Sequence, residues 1–148
     1  MYDIINIKGK GKYISDICSI DALCFPNDTW SKTLILSELE RGKHDYFACF
    51  IDGKIVAYLN GLSFVDEAEL CRIGVNPMQR KKGIGSALLN EYICYLTKNN
   101  CKRLFLEVRK SNLGAIELYK SVGFKTDGIR KNYYHSPTED AYLMSLEF

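Results

Sequence analysis

One stretch in the middle of the chain constrains the fold most. An apolar strand pattern over 69–75 is followed by a glycine-containing turn, a helical pattern over 84–97 and an alternating strand pattern over 103–109. Strands repeat their apolar residues every second position and helices every 3.6, so the order predicts a strand–helix–strand unit. Such a unit requires two parallel strands joined by a right-handed crossover.

The flanking sequence predicts further helices and antiparallel strands. Asp52-Gly53 separates two strand-like runs and is a strong hairpin signal. With 148 residues, three prolines and no linker, we expect a single domain, residues 1–148. The expected class is α/β: a central mixed, mostly antiparallel sheet with one parallel strand pair and helices on both faces. Helices are predicted at 12–24, 31–40 and 112–121, strands at 47–51, 54–64, 124–130 and 141–146, and a loop at 131–138.

Composition excludes several classes of protein. The chain is 47% hydrophobic and 26% charged with a net charge of +2, which indicates a globular protein without a nucleic-acid partner. The basic run at 80–82 is its densest, and an RNA-binding patch is the competing interpretation. Six cysteines without a C-x-x-C pair, and only two histidines, predict neither a disulfide framework nor a metal site. With no signal peptide and no apolar run long enough for a membrane, we expect a cytoplasmic protein.

The turn before the central helix has the chemistry of a phosphate site. A helix N-terminus presents unpaired backbone N–H groups and the positive end of the helix dipole. Gly83 and Gly85 let a ligand approach the backbone, and Arg80, Lys81 and Lys82 add positive charge. The Rossmann pattern G-x-G-x-x-G and the P-loop pattern G-x-x-x-x-G-K-[ST] are both absent.

A second motif follows the second parallel strand. Asn112 and Tyr119 are seven positions apart, two helical turns, and so share one helix face. Ala115 and Ile116 lie between them and leave room for a ligand alongside. Ligands of such sheets gather at the carboxyl ends of the parallel strands, where both this motif and the glycine turn begin.

These two motifs together resemble the GNAT superfamily of N-acetyltransferases. The spacing R-x-x-G-x-G from Arg80 resembles its acetyl-CoA pyrophosphate loop, and N-x-x-A-x-x-L-Y-x-x-x-G-F from Asn112 is common across the superfamily. The runs E-V-R-x-S-N, F-P with W-S, and R-K-N-Y-Y are similar to the RimI branch, the ribosomal-protein-alanine N-acetyltransferases. The resemblance covers the chain from about residue 17. It implies the GNAT fold, acetyl-CoA as co-substrate, no metal, and the N-terminal alanine of small-subunit ribosomal protein eighteen as acceptor.

The resemblance also implies residue roles. The glutamate matching Glu107 accepts a proton, and the tyrosine matching Tyr119 donates one. The positions implied to bind acetyl-CoA are Ile73, Gly74, Val75, Arg80, Lys81, Lys82, Gly83, Ile84, Gly85, Ser86 and Asn112. Trp30, Arg72, Tyr133 and Tyr134 are candidate acceptor contacts, although a packing anchor is the favoured role for Trp30.

Two positions depart from the family pattern. Arg72 stands where a small polar residue is usual, so we expect a cation beside the acceptor channel. Gly74 stands where alanine is usual, and we expect no consequence because the backbone makes the contact there. Asp28 and Glu139 are candidates to receive a basic second residue of the acceptor, at an entrance formed by residues 24–30 and 132–138.

Other interpretations stay open at the level of sequence. Glu107 is also placed to pair with Arg109 or Lys110, Tyr119 to be a core aromatic, and Asn112 to be only a helix N-cap. The acceptor is alternatively a lysine side chain or a small amine. A third alternative is a non-catalytic acetyl-CoA-binding module that regulates a partner. The presence of both Glu107 and Tyr119 argues against it, because such a module needs neither residue. We expect a monomer or a weak dimer.

Overall fold

The computed structural model describes all 148 residues and contains one seven-stranded sheet. Its strand order is β1-β2-β3-β4-β5-β7-β6. The strands are β1 Asp3–Asn6, β2 Asp45–Ile51, β3 Lys54–Phe64, β4 Glu67–Val75, β5 Arg103–Arg109, β6 Lys125–Tyr134 and β7 Glu139–Glu147. The helices are α1 Ile14–Cys24, α2 Lys32–Arg41, α3 Ile84–Lys98 and α4 Leu113–Val122, with 3₁₀ turns at Gly11–Tyr13 and Pro77–Gln79.

Only β4 and β5 are parallel, as the strand–helix–strand pattern predicts. They pair at three positions, from Glu67 opposite Arg103 to Glu69 opposite Phe105. β4 then continues to Val75 on its pairing with β3, and β5 continues to Arg109 on its pairing with β7. Each strand is therefore held on its outer side while a gap opens between the two at their carboxyl ends.

Backbone groups of β4 face this gap. The N–H of Asn76 donates to the carbonyl oxygen of Val56 at 2.8 Å, which continues the ladder between β4 and β3. In an antiparallel ladder, alternate residues direct their N–H and C=O groups away from the partner strand. Ile73 and Val75 are the residues so directed, and they have no partner in β5.

Two hydrophobic cores lie on opposite faces of the sheet. Tyr46 and Ala48 of β2 pack in the core under α1 and α2, whereas Phe47 and Cys49 pack in the larger core under α3 and α4. This alternation confirms the prediction of helices on both faces. None of the four helices combines the length and the apolar character needed to cross a membrane.

A buried carboxylate ties β2 to α3. Asp45 is fully buried and accepts hydrogen bonds from Tyr92 at 2.7 Å, from Ser63 at 3.1 Å and from Lys8 at 3.1 Å. A buried carboxylate is stable only when such donors replace water. The Tyr92 hydroxyl reaches Asp45 across Gly61, where a β-carbon would lie 2.2 Å from the hydroxyl oxygen.

The structure differs from the sequence prediction at two strands. β1, which no pattern predicted, is a four-residue edge strand that pairs only with β2, too short to show alternation. Residues 131–134, predicted as loop, extend β6 through an irregularity in its pairing between Arg130 and Tyr134. Asn132, within this segment, has a left-handed backbone with φ 52°. The side chains on either side of it therefore do not alternate between the two sheet faces, and the sequence shows no strand pattern there.

We predict that Gly61→Ala destabilises the fold by about 2–4 kcal/mol, because the new methyl group displaces Tyr92 and breaks its hydrogen bond to Asp45. Urea unfolding followed by circular dichroism measures this. Gly114→Ala is the matched control, since no atom lies within 4 Å of its β-carbon and it lies in a helix. Equal unfolding midpoints for the two variants would contradict the prediction.

Candidate active site

The turn between β4 and α3 is fixed by its own side chains. Asn76 accepts a hydrogen bond from the N–H of Met78 at 3.0 Å and so starts the 3₁₀ turn. The Nε of Arg80 donates to the carbonyl oxygen of Val75 at 3.0 Å, which folds the arginine back over the end of β4. Gly83 then turns into α3 with a left-handed backbone, φ 81°.

The N-terminus of α3 has no side-chain cap. Ser31 caps α2 and Asn112 caps α4, but the capping position of α3 is Gly83, which has no side chain. The first hydrogen bond of the helix joins the N–H of Ala87 to the carbonyl of Gly83. The N–H groups of residues 84–86 therefore have no acceptor within the helix.

A cavity of about 630 Å³ lies against this helix end. Ten of the eleven predicted acetyl-CoA positions line it: Ile73, Gly74, Val75, Arg80, Lys81, Gly83, Ile84, Gly85, Ser86 and Asn112. The exception is Lys82, whose ammonium group donates to the side chain of Gln79 at 3.1 Å. The cavity thus brings the glycine turn, the exposed end of β4 and the start of α4 together.

Two glycines of this cavity serve packing. A β-carbon on Gly85 would lie 3.1 Å from the Leu118 side chain, so Gly85 permits close contact between α3 and α4. A β-carbon on Gly74 would lie 3.1 Å from the Cys24 sulfur and 3.3 Å from the Phe25 ring. The expectation for Gly74 concerned the backbone contact to the co-substrate and stays a prediction; in packing, Cys24 and Phe25 leave little room for a β-carbon at this position.

A second cavity, of about 450 Å³, adjoins the first. Glu107 and Tyr119 both line it, as do Arg72 and Tyr134 among the candidate acceptor contacts, whereas Trp30 and Tyr133 do not. Five residues line both cavities, so they meet in the gap between β4 and β5: Cys24, Phe25, Ile73, Asn112 and Ala115.

The two carboxylate oxygens of Glu107 have different surroundings. Its Oε1 lies 3.5 Å from the Arg130 guanidinium, while Oε2 is buried without a hydrogen-bond partner in the chain. The predicted alternative partner Arg109 instead pairs with Glu139. Burial, and then the negative charge of Glu107, raise the pKa of Glu69, so a second carboxyl group lies close by.

Tyr119 holds its proton firmly. Only 7% of the residue is exposed, and its ring packs against Phe124 with centroids 5.7 Å apart. Burial, and then the neighbouring Tyr134, raise the pKa of Tyr119 above its usual value. The phenol therefore stays protonated at neutral pH and is available as a proton donor.

Arg72 is enclosed and not free beside the channel. Its guanidinium donates to Asp21 at 2.9 Å and to the Asp28 carboxylate at 2.7 Å. The rings of Phe25 and Trp30 both lie 4.1 Å from its central carbon, measured to their centroids. Asp28, predicted to receive a cation from the acceptor, is already paired with a cation of the chain itself.

Arg109 holds residues 135–139 on the other side of the second cavity, a role that the sequence analysis missed. It donates to the carbonyl oxygens of Pro137 at 3.1 Å and of His135 at 3.2 Å, and its guanidinium lies 4.4 Å from the centroid of the Tyr134 ring. Glu139 accepts from Arg109 and from the N–H of Ser111. The only signal was that Arg109 alternates onto the same strand face as Glu107.

The whole arrangement matches a known family. The sequence model of the acetyltransferase (GNAT) family matches residues 14–124, which include both parallel strands, the glycine turn and α4. The chain belongs to the GNAT family. GNAT proteins of this kind are acyltransferases that use acetyl-CoA, which confirms the reaction class that the motifs predicted.

Individual GNAT proteins resemble the chain closely. The ribosomal protein bS18-alanine N-acetyltransferase of Escherichia coli is 41% identical over 120 residues, 79% of this chain and 80% of that protein. The N-alpha-acetyltransferase RimI of Mycobacterium tuberculosis is 34% identical, over 80% of this chain and 75% of that protein. A crystal structure of the ribosomal-protein-S18-alanine N-acetyltransferase from Escherichia coli superimposes with a TM-score of 0.90 at 33% identity, covering 99% of this chain and 94% of that one. The predicted GNAT fold is confirmed.

Proposed function

We propose that this GNAT protein acetylates the α-amine of a protein N-terminus, that of the N-terminal alanine of ribosomal protein bS18. One observation carries the proposal: the two cavities meet in the gap between β4 and β5, with the uncapped helix end in one and Glu107 and Tyr119 in the other. The relatives named for this activity match the chain over most of its length.

The first cavity fits acetyl-CoA. Free N–H groups at the start of α3 suit the pyrophosphate, and Arg80 and Lys81 line the cavity with positive charge. The backbone N–H groups of Ile73 and Val75 are directed into the gap, where they are placed to bond to the rest of the co-substrate. Asn112 caps α4 through its Oδ1, so its amide NH₂ is left for a ligand.

The second cavity fits the chemistry of acetyl transfer. Acetyl-CoA supplies the acetyl group as a thioester. Glu107 takes a proton from the attacking amine, directly or through a water molecule, at Oε2, the oxygen that does not face Arg130. Tyr119 gives its proton to the departing sulfur, and burial keeps the phenol protonated until that step. N–H groups of β4 are placed to polarise the carbonyl.

An α-amine suits a single carboxylate base. Its reference pKa is about 7.7–8.0, whereas that of a lysine amine is about 10.4. Near neutral pH an α-amine is thus already partly deprotonated, while a lysine is almost wholly charged. A weak base such as Glu107 is sufficient for the first amine and much less effective for the second.

We predict that Gly83→Ala weakens acetyl-CoA binding about tenfold. A left-handed backbone costs a residue with a side chain roughly 1–2 kcal/mol, so the turn relaxes and must be restored on binding. Calorimetric titration measures the Kd. Gly53→Ala is the matched control, because Gly53 has a similar φ of 75° and equally open surroundings but lies in the hairpin turn between β2 and β3. Wild-type affinity in a folded Gly83→Ala protein would refute this role of the turn.

We predict that Tyr119→Phe keeps acetyl-CoA affinity but lowers kcat by roughly 10²–10⁴-fold, the usual contribution of an acid–base group. Tyr95→Phe removes a hydroxyl from α3, away from both cavities, and should leave kcat unchanged. Steady-state rates with calorimetric Kd values separate the two effects. Equal rates for Tyr119→Phe and Tyr95→Phe would mean that Tyr119 is not the proton donor.

The Glu107→Gln variant should show a pH-dependent loss. We expect a large loss of kcat at pH 7 that shrinks above about pH 8, where the α-amine is deprotonated without a base. A rate profile between about pH 6 and 9, a range that spans the amine pKa of about 7.7–8.0, measures this. A loss that stays constant over the range would mean that Glu107 does not act as the base.

The acceptor is tested by competition. Peptides that begin Ala-Arg should be acetylated at the α-amine, whereas the same peptides with a blocked N-terminus and an internal lysine should react far more slowly. Mass spectrometry of the mixture gives the ratio of rates. Equal rates for the blocked lysine peptide would replace N-terminal acetylation by lysine acetylation as the function of this chain.

A further inference from the structure

The turn between α1 and α2 is held by one arginine from another element. Arg72 lies on β4, yet it contacts four residues of the segment 21–30: two carboxylates and two aromatic rings. It also donates to the carbonyl oxygen of Asp28 at 3.0 Å. Its side chain is only 8% exposed, so these contacts replace nearly all of its water.

Asp21, the buried partner of Arg72, has several hydrogen-bond donors. Asp21 is fully buried and accepts hydrogen bonds from Arg72, from the Tyr58 hydroxyl and from the N–H of Trp30, the last at 2.7 Å. A carboxylate so placed needs all its donors. Asp21 therefore fixes both the guanidinium and the backbone that carries Trp30.

The exposed side of this cluster, Phe25 and Asp28, forms one wall of the second cavity, the proposed acceptor cavity. Asp28 and Phe25 line the second cavity, and Phe25 lines the first cavity as well. Asp28 has a side chain that is 72% exposed, and Arg72 is the cation that orders it. Asp21, Asp28 and Arg72 together carry a charge of −1. Arg72 therefore neutralises the two carboxylates only in part, and the group does not repel a basic acceptor.

We propose that Arg72 is a positioning residue that clamps the turn of residues 25–30 in the shape that binds the acceptor. The inference rests on the proposed acetyltransferase function, and it concerns how the acceptor is held, not how the acetyl group moves. Release of the clamp leaves Glu107 and Tyr119 in place on β5 and α4. It frees Phe25 and Asp28, which form the wall.

Lysine is not able to replace this arginine. A guanidinium is flat, so two aromatic rings contact its carbon while its two terminal nitrogens bond to separate carboxylates. An ammonium group is a single point charge and is able to contact only some of these two carboxylates and two rings. Arg72→Lys therefore keeps the charge and removes the geometry.

The clamp can be observed without any acceptor. Trp30 is the only tryptophan of the chain, so tryptophan fluorescence reports on the surroundings of this one ring, which include Arg72. In Arg72→Lys we expect emission at longer wavelength and roughly twofold stronger quenching by acrylamide, because the guanidinium no longer covers the ring. Arg103→Lys is the control: that arginine lies on β5 with two carboxylates and the Phe105 ring nearby, outside both cavities. Unchanged quenching in Arg72→Lys would overturn the clamp.

Kinetics then test the role. We expect the KM for the acceptor to rise roughly tenfold in Arg72→Lys, while kcat and the KM for acetyl-CoA change less than about threefold. The assay uses whichever acceptor the wild-type protein acetylates fastest, so failure of the ribosomal assignment leaves it valid. A loss confined to kcat, or one equal for both substrates, would refute the positioning role.

A second variant tests the same interaction in case Arg72→Lys does not fold. Asp28→Asn removes the exposed partner of the clamp and should raise the acceptor KM and the Trp30 quenching in the same direction. Combined with Arg72→Lys, it should add little, because both changes break one interaction. Strictly additive effects on the acceptor KM would show that the two residues act separately and would overturn the proposal.

Discussion

The divergence of β4 and β5 is the constraint on which the site depends. The two parallel strands pair at three positions and then separate, each held by a neighbour on its outer side. A strand edge with unpaired N–H groups is costly when buried without partners. Here the edge lines two cavities instead, so its free backbone groups are accessible at the centre of the sheet.

The residues that we propose to act on acetyl-CoA and the acceptor lie on one side of this gap or the other. β4 leads into the uncapped N-terminus of α3, and β5 leads through Asn112 into α4, which carries Tyr119. Glu107 lies on β5 itself. Rigid strands therefore set the distance between the proposed phosphate-binding residues and the proposed catalytic residues, and the short turns between elements add little freedom.

Two arginines stabilise the walls of the second cavity. Arg72, from β4, holds the turn between α1 and α2, and Arg109, from β5, holds residues 135–139. Both bond to carboxylates and backbone carbonyls and stack on aromatic rings. Each of these two loops is thus fixed to one of the diverging strands.

The sequence by itself determined the strand–helix–strand unit, the glycine turn and the residues of α4, because these depend on spacing within short segments. It did not determine that Arg72 is enclosed, that Gly74 and Gly85 serve packing, or that β1 exists. Those depend on contacts between residues far apart in the chain: Arg72 meets Asp21 across 51 positions. Periodicity describes which face a residue occupies, whereas only the tertiary structure decides which charge or ring lies opposite it.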